Sequence, residues 1–327
     1  MEKGNKLSSF KNVLSSNGAL IAMIILFAAG FILFDSFRSG VNIMNILRQT
    51  SYMAIMAVGM TFVILTGGID LSVSSVFGIS GVLAALINKN VTDNIIILIV
   101  VPIAVCAAIG IINGLIVTKL KITPFIATLA MMMGIKGFGL LISESGQAIA
   151  IKNEAFAVIG KGNVAGLPVP VIILIAVTIV AMFVARYTVY GRNCYAIGGN
   201  ADAVIMKGVN INKTKIMTYM LSASLAGLAG LIIAARSNVG KITIGTGYEM
   251  DVVAAVVIGG TLLSGGSGKV LNSVFGMIII TLIGNLITMK GDVSWMWQNV
   301  ITGVLLIVIL IIQSVQIKSG KMLTKRT

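Results

Sequence analysis

The sequence predicts an all-α, polytopic membrane protein with about ten transmembrane helices. Three observations carry this reading. Only 10% of the 327 residues are charged and 57% are hydrophobic, whereas a soluble domain carries about 25% charged residues. The apolar residues come in continuous blocks of roughly 15 to 22, the length at which a helix spans hydrocarbon. The blocks do not alternate apolar and polar positions as the strands of a membrane barrel do.

Hydropathy places the segments near 19–34, 51–66, 73–88, 95–117, 122–143, 169–186, 215–235, 251–264, 270–288 and 295–316. The second, third and eighth are short and glycine-rich. The first follows Lys3, Lys6 and Lys11 and ends Phe31-Ile32-Leu33-Phe34-Asp35 without a small-residue cleavage site, so it reads as a retained helix rather than a signal peptide. The chain divides into an N-terminal segment (1–18), one transmembrane domain (19–316) and a basic tail (317–327). Two connections are long: 144–168, a lid or docking surface outside, and 187–214 inside.

Charge sets the orientation. With the N-terminus inside, the inner connections hold Lys119, Lys121, Arg186, Arg192, Lys207, Lys213, Lys215 and Lys269, and the tail adds Lys318, Lys321, Lys325 and Arg326. The outer connections hold most acids: Asp35, Asp93, Glu144, Glu154, Glu249, Asp251 and Asp292. Basic residues accumulate on the cytoplasmic side, so both termini are expected there. The net charge of +14 is read as this bias and as contact with membrane lipid, not as nucleic-acid binding. Histidine is absent, which removes the commonest general base and metal ligand. Cys106 and Cys194 form no pair motif, and neither a disulfide nor a metal site is expected.

Thr66-Gly67-Gly68-Ile69-Asp70-Leu71-Ser72 places a carboxylate between two membrane segments. Such a group is costly and faces a cavity or a partner; the glycines before it permit a broken helix. Asp70 either binds substrate or stabilises a gate, or caps a helix starting at Leu71. Its place near the inner end of two helices favours the cap. A faint echo recurs at Gly259-Gly260, Leu263-Ser264 and Ser273-Val274-Phe275-Gly276. Polar groups at or near membrane depth, Asn113, Thr128, Asn285 and Gln298, bond a hydroxylated solute or a neighbouring helix, and Ser72 joins Asp70 as a candidate for the path or gate. Phe125 and Met131–Met133, Met132 among them, line a path or simply pack. Lys136 snorkels outward or pairs with an outer acid.

In the inner connection, Asn200 suits the cap of a short helix from Ala201 to Lys207, Asp202 its first turn and Gly208 its stop. Exposed Val204, Ile205 and Met206 make this helix either a plug for a partner's groove or an interfacial helix on lipid. Ser264-Gly265-Gly266-Ser267-Gly268-Lys269 is not a phosphate loop. Leu263 stands where the first glycine is required, and Val270 follows the lysine. No other segment offers a nucleotide site, and no cofactor is expected for the chain itself.

Four stretches, taken in their order and spacing, resemble one family. They are Ala57-Val58-Gly59-Met60-Thr61 through Ser72; Ala196-Ile197-Gly198-Gly199-Asn200 with Gly208-Val209-Asn210; Gly247-Tyr248-Glu249-Met250-Asp251 with Ala254–Val257; and Gly259-Gly260-Thr261 through Gly268. From about Asn42 to Ile312 the chain is similar to the inner-membrane permeases of bacterial monosaccharide ABC importers, the ribose, arabinose, xylose and galactose permeases. Asp70 separates this sugar branch from the branched-chain amino acid permeases. Asn210–Lys213 and Gly245–Glu249 match the ribose branch, and Ser237–Ile244 and 144–168 depart from it.

The resemblance implies an ABC importer permease fold in the bacterial inner membrane. It implies a path shared by two permease copies, identical or paralogous, and a sugar-binding protein that delivers a monosaccharide. ATP would be bound by a separate ATPase subunit that grips the helix near Ala201–Lys207, so the permease itself is not an enzyme. The same architecture carries a nucleoside, a signalling furanone or a branched-chain amino acid. A stand-alone secondary transporter would show more intramembrane carboxylates.

Overall fold

The computed structural model describes residues 18–143, 145–291, 294 and 296–318. The basic residues Lys3, Lys6, Lys11, Lys321, Lys325 and Arg326, the acids Glu144 and Asp292, and most of the two terminal segments lie outside the described residues.

The order is α1 (Gly18–Leu33), a 3₁₀ turn (Asp35–Arg38), α2 (Gly40–Leu65), α3 (Val73–Asn90), α4 (Ile95–Lys119), α5 (Pro124–Ile142), β1 (Ile149–Ala150), α6 (Glu154–Lys161), β2 (Asn163–Val164), β3 (Leu167–Pro168), α7 (Val169–Tyr187), α8 (Val189–Gly199), α9 (Ala201–Met206), α10 (Ile211–Ser237), β4 (Val239–Gly240), a 3₁₀ turn (Ile242–Gly245), α11 (Tyr248–Ile258), α12 (Val270–Met289) and α13 (Trp297–Lys318). A helix stands at each of the ten apolar segments. Six of them, α4, α5, α7, α10, α12 and α13, are long and apolar enough to cross a membrane, and the protein is a multi-pass membrane protein.

Two segments differ from the hydropathy reading. The second helix starts at Gly40, eleven residues before the apolar block at 51, because Ser39 caps it by accepting the Asn42 N–H at 3.2 Å. The eighth runs from Tyr248 only to Ile258, not to 264. Eleven residues rise about 16 Å, half of a hydrocarbon core of about 30 Å.

The helices form two layers. Every residue from Thr50 to Leu65 of α2 is buried; α7, α10, α11 and α12 pack against it, and Phe77 of α3 meets it at Tyr52. Helices α1, α4, α5, α7 and α13 lie outside and expose apolar side chains such as Ile96, Leu141, Val180 and Ile307. This inverts a soluble protein's pattern, as lipid-facing helices require. Inner helices are not the most hydrophobic, since protein rather than lipid surrounds them.

The most extensive helix contact joins α4 to α10. Gly110 and Gly114 stand four residues apart on α4, and a Cβ at either would fall closer than 3.0 Å to the backbone of Tyr219 and Met220 or of Ile216. Small residues at this spacing let two backbones touch, which replaces the missing hydrophobic drive between helices in lipid. Gly110→Val is expected to push the pair apart at a cost of about 1–3 kcal/mol. A lowered unfolding temperature of the detergent-purified protein checks it.

The faint internal echo corresponds to two helix–turn–helix units, α2–α3 and α11–α12. Both first helices end in the same C-terminal motif. Gly67 (φ +74°) and Gly260 (φ +88°) take the left-handed conformation. Their N–H groups bond Ile64 and Val257, and the next N–H groups, of Gly68 and Thr261, bond Val63 and Val256. Glycine is needed at that position because a Cβ is strained there.

Candidate functional site

Asp70 lies in the turn between α2 and α3 and is fully buried. Its Oδ1 accepts the Ser72 hydroxyl at 2.6 Å and the Ser72 N–H at 3.1 Å, and its Oδ2 accepts the Ser222 hydroxyl from α10 at 3.0 Å. Asn113 of α4 donates Nδ2–H to Ser72 Oγ at 2.8 Å. Thr128 of α5 accepts the Leu71 N–H at 3.1 Å, and the Tyr219 hydroxyl donates to the Ile69 carbonyl at 3.4 Å. The sequence candidates Asp70, Ser72, Asn113 and Thr128 thus come together in one buried polar knot. It ties the turn to three helices.

The expected cap is displaced. Helix α3 begins at Val73, not Leu71, and Ser72 holds the N-cap position without a side-chain bond to the helix. Asp70 accepts only the Ser72 amide, two residues on, as an aspartate in a turn does. All three donors to Asp70 are neutral, so the carboxylate is held by hydrogen bonds rather than by a cation. Burial without pairing would be costly. Ser222 and Tyr219 were missing from the sequence candidates. They lie more than 140 positions from Asp70, and only helix packing brings them near.

The other path candidates lie elsewhere. Phe125 is 50% exposed. Asn285 of α12 bonds Asn42 of α2, Nδ2 to Oδ1 at 2.8 Å, the helix-to-helix alternative for this side chain. The Met132 carbonyl accepts the Ser75 hydroxyl at 2.8 Å. Met132 also borders a cavity of about 40 Å³, with Lys136, Ser74, Ser75, Thr246 and Glu249. Lys136 forms no ion pair within 4.0 Å among the described residues.

At the end of the molecule where α2 finishes and α3 starts, α8 and α9 fill the 187–214 connection. Asn200 caps α9 by accepting the Ala203 N–H at 3.1 Å. Asp202 lies in its first turn, Lys207 follows its last residue, and Gly208 takes φ +74°. One part of the reading is corrected: Val204 is buried against the body of the protein, while Ile205 and Met206 are 59% and 89% exposed. The exposed apolar tip is therefore two residues wide. Within α8, burial pushes the Cys194 thiol up to about 12.

At the opposite end, the 144–168 connection is anchored rather than loose. β1 pairs antiparallel with β4, Ile149 opposite Gly240. Asn153 caps α6 by accepting the Phe156 N–H at 2.8 Å, and Arg48 donates to Asn163 Oδ1 at 3.0 Å. The two stretches that depart from the sugar-permease pattern, 144–168 and 237–244, are thus joined. The first of them borders an open cavity of about 520 Å³ with Asn88, Lys89 and Asp93. Among the described residues, no group of three or more Cys, Asp and Glu side chains is placed to hold a metal.

The chain matches the family described as branched-chain amino acid transport system / permease component over residues 42–310. It is 39% identical over 299 residues to the ribose import permease protein RbsC of Escherichia coli K12, covering 90% of this chain and 92% of that one. It is 40% identical over 312 residues to the protein of the same name from Haemophilus influenzae, covering 93% and 95%. It is 33% identical over 299 residues to the L-arabinose transport system permease protein AraH of Escherichia coli, covering 91% and 90%. No solved structure matches the chain. With a match that takes in both glycine-broken turns, the polar knot and the capped inner helix, this chain belongs to the branched-chain amino acid transport system / permease component family.

Proposed function

We propose that this chain is the membrane-spanning subunit of an ATP-driven importer of a monosaccharide, ribose or a related pentose or hexose. The observation that carries this reading is identity of 39% to 40% with ribose import permeases over at least 90% of each chain. In this reading ten helices lie in the bacterial inner membrane and both termini are cytoplasmic. The connections at both ends carry Lys and Arg, so the orientation rests on the basic terminal segments and on the acids gathered at the 144–168 end.

A separate ATPase supplies ATP and grips α9, whose exposed Ile205 and Met206 offer an apolar tip. A sugar-binding protein delivers cargo at the opposite end, and a second permease copy, identical or paralogous, completes the path. A monosaccharide is neutral and rich in hydroxyls, so hydroxyl and amide groups suffice along its path. A zwitterionic amino acid would need fixed charges of both signs.

Labelled ribose, allose, xylose, arabinose, galactose and leucine, each near micromolar, test the reading in a strain lacking this chain. Loss of high-affinity uptake of one sugar is expected, restored by the chain only together with its ATPase and binding protein. Loss of leucine uptake alone would overturn the sugar assignment.

A further inference from the structure

The glycines at the C-terminus of α8 bring three stretches of backbone into direct contact. A Cβ on Gly198 would lie closer than 3.0 Å to the Leu65 carbonyl oxygen at the end of α2 and to the Gly266 nitrogen in the α11–α12 turn. The two turns also hold each other, since the Gly266 N–H donates to the Leu65 carbonyl at 2.9 Å. The Tyr195 hydroxyl of α8 donates to the Gly268 carbonyl at 3.0 Å. Gly199 adjoins Asn200, the cap of α9.

We infer that this three-backbone junction is the transmission element of the transporter: Gly198 and Tyr195 are positioning residues through which movement of α9 displaces both glycine-broken turns together. The inference deepens the proposed function and rests on it. The physical reason is the absence of compliant side chains. Where two helices meet through long side chains, a small displacement is absorbed by rotamer changes. Where backbones touch, there is nothing to rearrange, and close-packed interiors transmit strain. The displaced turns lead to different parts of the bundle. The first continues into the Asp70 knot and so to α4, α5 and α10. The second continues into α12, where Ser273 Oγ accepts the Thr61 hydroxyl of α2 at 2.8 Å. Rigid contact at one point thereby reaches both helix–turn–helix units.

The test uses the assembled importer in proteoliposomes, with labelled ribose as cargo and with the sugar imported per ATP hydrolysed as the readout. Gly198→Ala is expected to co-purify with the ATPase as the unaltered chain does, yet to import at least tenfold less sugar per ATP. Tyr195→Phe keeps the backbone contact and loses one bond; a threefold to tenfold fall in the same ratio is expected. A merely destabilised permease lowers uptake and hydrolysis together and leaves their ratio unchanged, and that result overturns the inference. So does an unaltered ratio in both variants. If Gly198→Ala fails to accumulate, Tyr195→Phe decides alone. An unaltered chain that binds the ATPase and imports no ribose overturns the importer reading and this inference with it. Unimpaired import by both variants beside a working parent chain overturns only the junction.

Discussion

Met206→Asp is expected to strip the ATPase from this permease while leaving its helices in the membrane. Met206 is 89% exposed at the tip of α9 and Ile205 is 59% exposed. A carboxylate there costs the free permease nothing in packing. Against an apolar partner groove it must be desolvated without a counter-charge, which costs several kcal/mol. Co-purification with the ATPase is expected to fall at least tenfold, with unchanged amounts of permease in the membrane. Val204→Asp is the informative contrast. Val204 faces the body of the protein, so a charge there damages the connection itself and lowers permease abundance. Full retention of the ATPase by Met206→Asp contradicts docking at α9.

The second large effect concerns Asp70. Asp70→Leu leaves the Ser72 amide and the hydroxyls of Ser72 and Ser222 without their acceptor, all inside the protein. At about 1–3 kcal/mol for each orphaned group, non-additively, the turn is expected to lose its tie to α10, and transport and accumulation fall together. Asp70→Asn keeps one carbonyl oxygen for Ser72 and presents an amide donor to Ser222, whose hydroxyl is able to accept. It is expected to accumulate normally and to import within about threefold of the parent. An Asp70→Asn protein that accumulates but imports nothing would show that the charge itself works in the gate.

The helices were legible because lipid imposes a simple rule: backbone groups must pair internally, and long apolar blocks are therefore helices. A helix stands at each of the ten apolar segments, six of them long and apolar enough to cross a membrane, but hydropathy missed two edges for the same reason. It reports where a chain is apolar, whereas α2 begins eleven residues earlier at a serine cap and α11 ends at a glycine turn. The polar knot was half legible. Asp70 and Ser72 are neighbours, and Asn113 and Thr128 stood out as polar groups within apolar runs. Ser222 and Tyr219 occupy a helix with many polar residues, and nothing local marks them. The orientation of α9 was misjudged at Val204, because a six-residue helix is too short to show which face is buried. The Gly110–Gly114 spacing is itself a sequence signal for the close α4–α10 contact. The 198–199 and 265–266 contact had no signal beyond the glycines themselves.

On the proposed function, this chain moves sugar only when a partner hydrolyses ATP. The most direct measurement is uptake of labelled ribose into proteoliposomes holding the permease and its ATPase, with the sugar-binding protein outside and ATP sealed within. Accumulation against a gradient that requires ATP, the ATPase and the binding protein together is the predicted result. Ribose entry by the permease alone, or accumulation without ATP, would contradict it.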